Sequence, residues 1–325
     1  MSAISNALSL SRTSIAAQSQ PQTVAAAENG FLGLAGLAPL PDPMRAPPVP
    51  TLQPVQAPNQ RQVTVRGENQ RYEDLHDRGR SIVDIGVGNQ IRMGDSPFFV
   101  YMDGRDGMYT AGHGNNFIHS MDPTARVVLG NGGNYVFAEV HDLTMGNGDN
   151  KIVPSMHKGR LLEKAKIGHG NNRISGTIGE LVLGNGKNML NVTGAGDRTR
   201  IHLGNGFNTI TMKNGQDANL HLGNGHTELK GDAAGMTIRF DGESWREGIA
   251  FSRQGDHLVA ASRDGMARFV FKDAYTSGQL QALKEKPVTL MGQAHMVQGS
   301  TGQGSTGQGA TGQAFTRSLP KDLPA

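Results

Sequence analysis

Short alternations of apolar and polar residues flank a glycine-rich pentad that recurs along the middle of the chain. An apolar residue stands directly before the first glycine of each pentad, and another stands two positions after its fifth residue. The repeated pattern is U-G-x-G-x-N-x-U, where U is apolar. Alternation with a period of two is typical of a β-strand with one buried side. We therefore predict that each pentad is a turn between two short strands.

The regular pentads occupy residues 112–116, 130–134, 146–150, 168–172, 184–188, 204–208 and 223–227, with degraded copies near 86–88 and 104–107. The apolar residues before the regular pentads are Ala111, Leu129, Met145, Ile167, Leu183, Leu203 and Leu222, and those after them are Ile118, Val136, Ile152, Ile174, Leu190, Ile210 and Leu229. Successive first glycines are 16 to 22 residues apart, which allows two strands and two turns. One such unit cannot bury its own apolar side, so the units must stack on each other. The repeat predicts an all-β parallel solenoid.

The pattern resembles the RTX, or haemolysin-type, nonapeptide G-G-x-G-x-D-x-U-x. Gly112, Gly114 and Ile118, with their equivalents in later copies, match its second, fourth and apolar positions. The resemblance covers residues 84 to 275 and implies a right-handed parallel β-roll. In RTX rolls the sixth position is an aspartate that binds Ca²⁺.

Asparagine replaces that aspartate in six copies, and threonine replaces it in the seventh. The six residues are Asn116, Asn134, Asn150, Asn172, Asn188 and Asn208. Neutral amides give Ca²⁺ no negative charge to offset its dehydration. We predict a structural ladder in which each asparagine amide bonds the one above, as in cross-β stacks, so that the roll needs no cofactor. Asp149, Asp197 and Asp217 remain candidates for weak calcium sites.

Composition divides the chain into regions of different character. The predicted regions are 1–60, a disordered Ser/Ala/Gln/Pro-rich secretion segment; 61–83, a linker or N-terminal cap; 84–232, the β-roll; 233–275, a C-terminal β cap; 276–297, a short helix and linker; and 298–325, a disordered Gly/Gln-rich tail. Residues 1–60 contain too few apolar groups to offset their chain entropy. Leu280 and Leu283 stand at helical spacing and predict the short helix.

The chemistry-bearing residues do not form an enzymatic motif. The chain has no cysteine, and it contains no Walker loop, HExxH or GxSxG sequence. The formal charge of +3 is spread along the chain, and no run of 18 apolar residues occurs. We therefore predict no enzymatic activity, no nucleic-acid partner and no transmembrane segment. His202 and His221 recur as H-L-G-N-G and are expected side by side on an outward strand position, and Trp245 is expected to pack inside the cap.

The N-terminal composition resembles the uncleaved export signals of type III secreted effectors and harpins. The sequence thus predicts a secreted bacterial, non-enzymatic effector or accessory protein without a cleaved Sec signal peptide. Its roll would be a binding or structural rod for a host or cell-surface component, and its N-terminal segment would bind a secretion chaperone. The resemblance to RTX proteins implies a second possible export route, type I secretion through a C-terminal signal.

Two alternative functions remain open. One is an RTX-type calcium-binding module. The other is a β-solenoid that binds or processes polysaccharide, which would show as a row of aromatic or acidic residues on an outer face. Phe117, Tyr135 and Phe207 are the aromatic candidates at related repeat positions, and they form a broken stripe.

Overall fold

A computed structural model of the chain describes residues 62–75, 81–154, 161–194, 198–293 and 314–318. The predicted secretion segment, 1–60, lies outside these residues. The strands are β1 Val63–Val65, β2 Arg71–Asp74, β3 Ser81–Asp84, β4 Gln90–Met93, β5 Phe99–Met102, β6 Met108–Ala111, β7 Phe117–Ser120, β8 Arg126–Leu129, β9 Tyr135–Ala138, β10 Asp142–Met145, β11 Lys151–Pro154, β12 Leu161–Ile167, β13 Arg173–Leu183, β14 Gly186–Gly194, β15 Arg200–His202, β16 Gly206–Lys213, β17 Asn219–Leu222, β18 Gly225–Gly231, β19 Thr237–Phe240, β20 Ile249–Gln254, β21 His257–Ser262, β22 Ala267–Phe271, β23 Thr289–Gln293 and β24 Ala314–Ser318. The helices are α1 Glu243–Arg246 and α2 Ser277–Glu285.

Each coil contributes one strand to each of two parallel sheets. The first sheet, formed by the strands that follow the pentads and their equivalents, runs β1, β3, β5, β7, β9, β11, the start of β13, β14, β16, β18 and β22. The second sheet, formed by the strands that precede them, runs β2, β4, β6, β8, β10, β12, the end of β13, β15, β17, β19 and β23. The predicted parallel β-solenoid is therefore confirmed.

The space between the two sheets is filled by the predicted apolar columns. Ile118, Val136, Ile210 and Leu229 are fully buried, and Leu203 is the most exposed member of either column at 6%. Burial of one aliphatic side chain is worth about 1.5–3 kcal/mol relative to its exposure to water. Each coil adds such residues from both sheets, so stability accumulates by stacking coil on coil.

Glycine is required in the pentads because adjacent turns pack backbone against backbone. Gly132 has φ +135°, and a Cβ there would lie 2.1 Å from the carbonyl oxygen of Gly114 in the previous coil. Gly170 has φ +143° and would meet the carbonyl of Gly148 at the same distance. A side chain at either position would be strained by its backbone angle and would push the coils apart.

The pentad asparagines form one continuous hydrogen-bonded column. The Nδ2 group of each residue from Asn116 to Asn188 donates to Oδ1 of the next asparagine, one coil along, at 2.9–3.0 Å. The column ends where Asn208 donates to the hydroxyl of Thr227 at 3.5 Å. These bonds join the coils along the edge of the solenoid that the pentads form.

Asn150 illustrates how each amide is satisfied within the column. Its Oδ1 accepts the backbone N–H and the Nδ2 group of Asn134, at 3.2 and 3.0 Å. Its Nδ2 donates to Oδ1 of Asn172 and to the carbonyl of Gly148 in its own turn, both at 3.0 Å. An amide has two donor hydrogens and an oxygen with two lone pairs, so Asn150 uses its full capacity although it is only 1% exposed.

The solenoid begins earlier than the sequence predicted. Strands β1 and β2 already pair in the two sheets, so residues 62–75, for which a linker or N-terminal cap was predicted, form a first coil. The degraded copies at 86–88 and 104–107 lie in turns that follow first-sheet strands, on the opposite edge from the pentads. Val87 bridges Glu68 and Arg105 there in parallel. Glycine marks tight turns on both edges, so composition alone did not separate them.

The C-terminal end also departs from the predicted boundaries. β19 is still a coil strand, and β20 and β21 form an antiparallel hairpin that leads into β22, which rejoins the first sheet. The predicted helix is present as α2, but part of the predicted linker forms β23. Residues 314–318, which fall within the predicted Gly/Gln-rich tail, form β24 antiparallel to β23.

Replacement of Asn150 by alanine tests the contribution of the asparagine column. The change removes the shared acceptor of the two Asn134 donors and one of the two donors to Oδ1 of Asn172, which keeps the backbone N–H of residue 150. We therefore expect the free energy of unfolding to fall by about 2 kcal/mol in urea titrations. Asn191 is an exposed asparagine on β14, and Asn191→Ala should change stability by no more than about 0.5 kcal/mol. Equal losses in the two variants would contradict a special role for the column.

Candidate functional site

Aromatic side chains cluster on the outer surface of the first sheet, over strands β5, β7 and β9. Phe99, Phe117 and Tyr135 form one row across these strands, and Tyr101, His119 and Phe137 form a second row two residues further along each strand. All six side chains are half-buried. We call this surface the aromatic face. The parallel register places its rings directly above one another because equivalent residues of successive coils are paired.

The first row is a stack of nearly parallel rings. The ring centroids of Phe99 and Phe117 are 4.8 Å apart with an interplanar angle of 5°, and those of Phe117 and Tyr135 are 5.1 Å apart at 9°. Lys151, on the next coil, places its ammonium 5.0 Å from the Tyr135 centroid. The row therefore uses its ring faces internally and presents ring edges outward.

The second row has a different ring geometry. Tyr101 and His119 meet edge to face, with centroids 4.9 Å apart and an interplanar angle of 71°. His119 and Phe137 are tilted by 56° at 5.1 Å. The hydroxyl of Tyr101 contacts Sδ of Met121 at 3.7 Å. This row combines apolar ring surface with hydroxyl and imidazole groups that can form hydrogen bonds.

Burial dominates the electrostatics of the aromatic face. It raises the pKa of Tyr101 and Tyr135, and the negative charge of Asp103 raises that of Tyr101 further. Burial lowers the pKa of His119, against an opposing effect from Asp103. Burial, then the charge of Arg173, lowers the pKa of Lys151. Neutral tyrosine and neutral histidine are thus the favoured forms on this surface.

The sequence identified only part of the aromatic face. Phe117 and Tyr135 stack as neighbours, but Phe207 occupies the fourth pentad position, aligns with Lys187 and His226, and is 65% exposed. Grouping it with the other two was wrong, because Phe207 stands at position four and the residues equivalent to Phe117 and Tyr135 stand at position six, two residues further along the strand. Phe99 and the whole second row were missed. The sequence pattern that could have revealed these residues was the alternation of aromatic with aliphatic residues directly after each turn.

The aromatic face is confined to part of one sheet. Beyond Lys151, the outward positions of the first sheet are occupied by Arg173, Met189, Thr209 and Glu228 in the first row. On the second sheet, the outward residues include Arg126, Asp142 and Lys164 on successive coils, with an ion pair of 3.5 Å between Arg126 and Asp142. The first row therefore gives way to polar and charged residues on later coils, whereas Val83 and Val153 flank the second row on the adjacent coils.

The predicted calcium candidates do not come together. Oδ1 of Asp149 accepts the backbone N–H of Asn171 at 2.8 Å, within the pentad edge. Asp217 lies in a turn on the opposite edge and pairs with Nζ of Lys286 at 3.4 Å. Asp197 lies outside the described residues. No group of three or more metal-ligating side chains occurs in the part of the chain that the structure describes. Calcium binding by these aspartates stays a prediction.

His202 and His221 lie side by side on the second sheet, as their repeat position predicted. Their ring centroids are 4.0 Å apart with an interplanar angle of 20°, and Nδ1 of His221 pairs with a carboxylate oxygen of Asp241. Burial lowers the pKa of His202, and the neighbouring charge of His221 lowers it further. A proton on His202 is therefore disfavoured in the folded protein.

His202 should make folding stability depend on pH. Its pKa is lower in the folded state, so the unfolded chain binds more protons as the pH falls below about 6.5. The stability that neutral His202 contributes is therefore complete above about pH 6.5 and is lost as the pH falls through the folded-state pKa. Urea midpoints measured between about pH 7.5 and pH 5 should fall less in His202→Asn than in the unmodified protein. An identical fall in both proteins would contradict this assignment.

None of the helices in the described segments has the length and apolarity needed to cross a membrane. No protein-family model matches the chain, and no curated protein or solved structure is significantly similar to it. The likeness to RTX repeats and to type III effectors or harpins therefore stays a resemblance, carried by the repeat pattern and the N-terminal composition.

Proposed function

We propose that the chain is a secreted bacterial, non-enzymatic binding protein whose solenoid is a rod that binds carbohydrate on a host or cell surface. The aromatic face is the observation that carries this proposal. Five half-buried Phe and Tyr rings and one histidine ring on one sheet surface form an unusual concentration in a chain with only 5% Phe, Tyr and Trp. Aromatic side chains placed together at a surface are typical of binding sites.

Carbohydrate suits this surface because a sugar ring has apolar C–H faces and hydroxyl groups at its edges. The apolar faces can pack on the rings of Tyr101 and Phe137, and the hydroxyls can bond the phenol and imidazole groups between them. Centroid spacings of 4.8 to 5.1 Å repeat the same pair of ring positions once per coil. A polysaccharide that runs along the rod therefore presents its repeating sugar units to ring positions that repeat once per coil.

The composition of the aromatic face favours binding over cleavage. Glycoside hydrolysis generally uses two carboxyl groups about 5 to 9.5 Å apart. The six ring positions include no carboxylate, and Asp103 is the acidic residue whose charge affects Tyr101 and His119. This supports a binding role and argues against the processing alternative.

The calcium-binding alternative has less support than carbohydrate binding. The asparagine column directs its amide oxygens to the previous turn, where the oxygen of Asn150, for example, accepts two donors already present in the protein. Secretion is supported by the composition of residues 1–60 and by the resemblance to type III effectors and harpins. A partner chaperone for that segment forms part of the same proposal.

Affinity electrophoresis of the full chain through gels that contain soluble polysaccharides tests the proposal. We expect retardation by at least one neutral polysaccharide of a panel of β-glucans, mannans and galactans, and Tyr101→Ala and Phe137→Ala should each weaken binding about tenfold. Phe207→Ala removes an exposed ring outside the aromatic face and should bind as the unmodified protein does. Circular dichroism establishes that each variant remains folded.

Two results would overturn the assignment. One is the absence of retardation by every polysaccharide of the panel. The other is an equal loss of binding in Phe207→Ala and in the two variants of the aromatic face, since that would mean that the face is not the contact surface.

A further inference from the structure

A second column of side chains runs along the pentad edge, beside the asparagine column. It is formed by the residue between the two glycines of each pentad, together with Asp95, which follows Gly94 in the irregular turn before them. Each side chain but the last accepts the backbone N–H of the equivalent residue in the next coil. The residues are Asp95, His113, Asn131, Asn147, His169, Asn185, Asn205 and Asn224, and the last accepts the N–H of Ser244. We call this set the acceptor column.

Asparagine and histidine are interchangeable in the acceptor column because both have an acceptor atom bonded to Cγ. Oδ1 of Asn131 accepts the N–H of Asn147 at 2.8 Å. Nδ1 of His113 accepts the N–H of Asn131 at 3.0 Å, and Nδ1 of His169 accepts the N–H of Asn185 at 2.8 Å. The two histidines thus replace an amide oxygen with a ring nitrogen in the same place.

These bonds fix the chemical form of both histidines. A backbone N–H is a donor only, so Nδ1 must have a free lone pair, and in the neutral ring the proton is on Nε2. The fully protonated ring has hydrogen on both nitrogens and cannot accept. The bond is then replaced by two N–H groups that face each other. An asparagine oxygen does not change in this way across the same pH range.

We propose that His113 and His169 form an acid-sensitive latch between coils, which opens the pentad edge at two defined places when their rings become protonated. Histidine is the ordinary side chain that changes charge between about pH 5 and pH 8. The other members with an amide oxygen stay bonded, so opening is confined to the steps from 113 to 131 and from 169 to 185. The latch is independent of what the aromatic face binds.

Charged groups in the adjacent turns surround each latch residue. Asp95 precedes His113 in the acceptor column and accepts its backbone N–H at 2.8 Å, and the following turn contributes the neutral Asn131. His169 lies between the turn that contains Asp149 and the turn that contains Lys187. The two steps therefore differ in the charges of their neighbouring turns, and each step is tested at its own backbone amide.

Hydrogen exchange of individual backbone amides, measured by NMR on the full chain, tests the latch. Rates divided by the intrinsic rate at each pH give protection factors. Those of the Asn131 and Asn185 amides should fall about tenfold between about pH 7.5 and pH 5, the equivalent of one lost hydrogen bond. The Asn147 and Asn205 amides donate to asparagine oxygens in the same column and should keep their protection.

The double variant His113→Asn with His169→Asn supplies an oxygen at both places and provides the matched control. Its Asn131 and Asn185 amides should be protected equally at both pH values. His202→Asn should leave the local loss unchanged, because His202 lies on the second sheet. Equal loss of protection at all four amides, or unchanged protection of Asn131 and Asn185 in the unmodified protein, would overturn the proposal.

Discussion

The amide-to-amide hydrogen bond between successive coils is the interaction on which the rest of the structure depends. An asparagine side chain is both donor and acceptor, so a column of identical residues can satisfy itself without any other group. Aspartate at the same place is an acceptor only, and a buried column of carboxylates would repel itself unless cations lay between the turns. Asparagine at this place therefore supplies both the donors and the acceptors of the column from within the protein.

The column also fixes the distance and register between coils, and the outer surfaces follow from that register. Glycine allows the turns to touch, as at Gly132, and the amides hold them there. Parallel pairing then places every outward residue above its equivalent in the previous coil. The stack of Phe99, Phe117 and Tyr135 is a direct result, since each ring has the same strand position. The acceptor column arises in the same way.

Sequence reasoning predicted the repeated features well because repetition reveals the register. The buried columns and the asparagine column followed from spacing alone. The aromatic face was only partly predicted because the turn at 94–98, which precedes β5, lacks the second glycine and the asparagine of the regular pentads. The carbonyl of Gly94 accepts the N–H of Gly112, so the two glycines occupy equivalent places in successive coils. Without that pattern, the alignment of Phe99 and Tyr101 with later coils was hidden. β23 and β24 depend on pairing between distant segments, which local patterns do not encode.

Circular dichroism of the purified chain in excess EDTA, and again after addition of Ca²⁺, tests the central claim most directly. A solenoid joined by asparagine amides should keep its β-sheet spectrum and its thermal midpoint when calcium is removed, and calcium should change neither. Loss of the β-sheet signal in EDTA, with recovery only after calcium is added, would contradict the account.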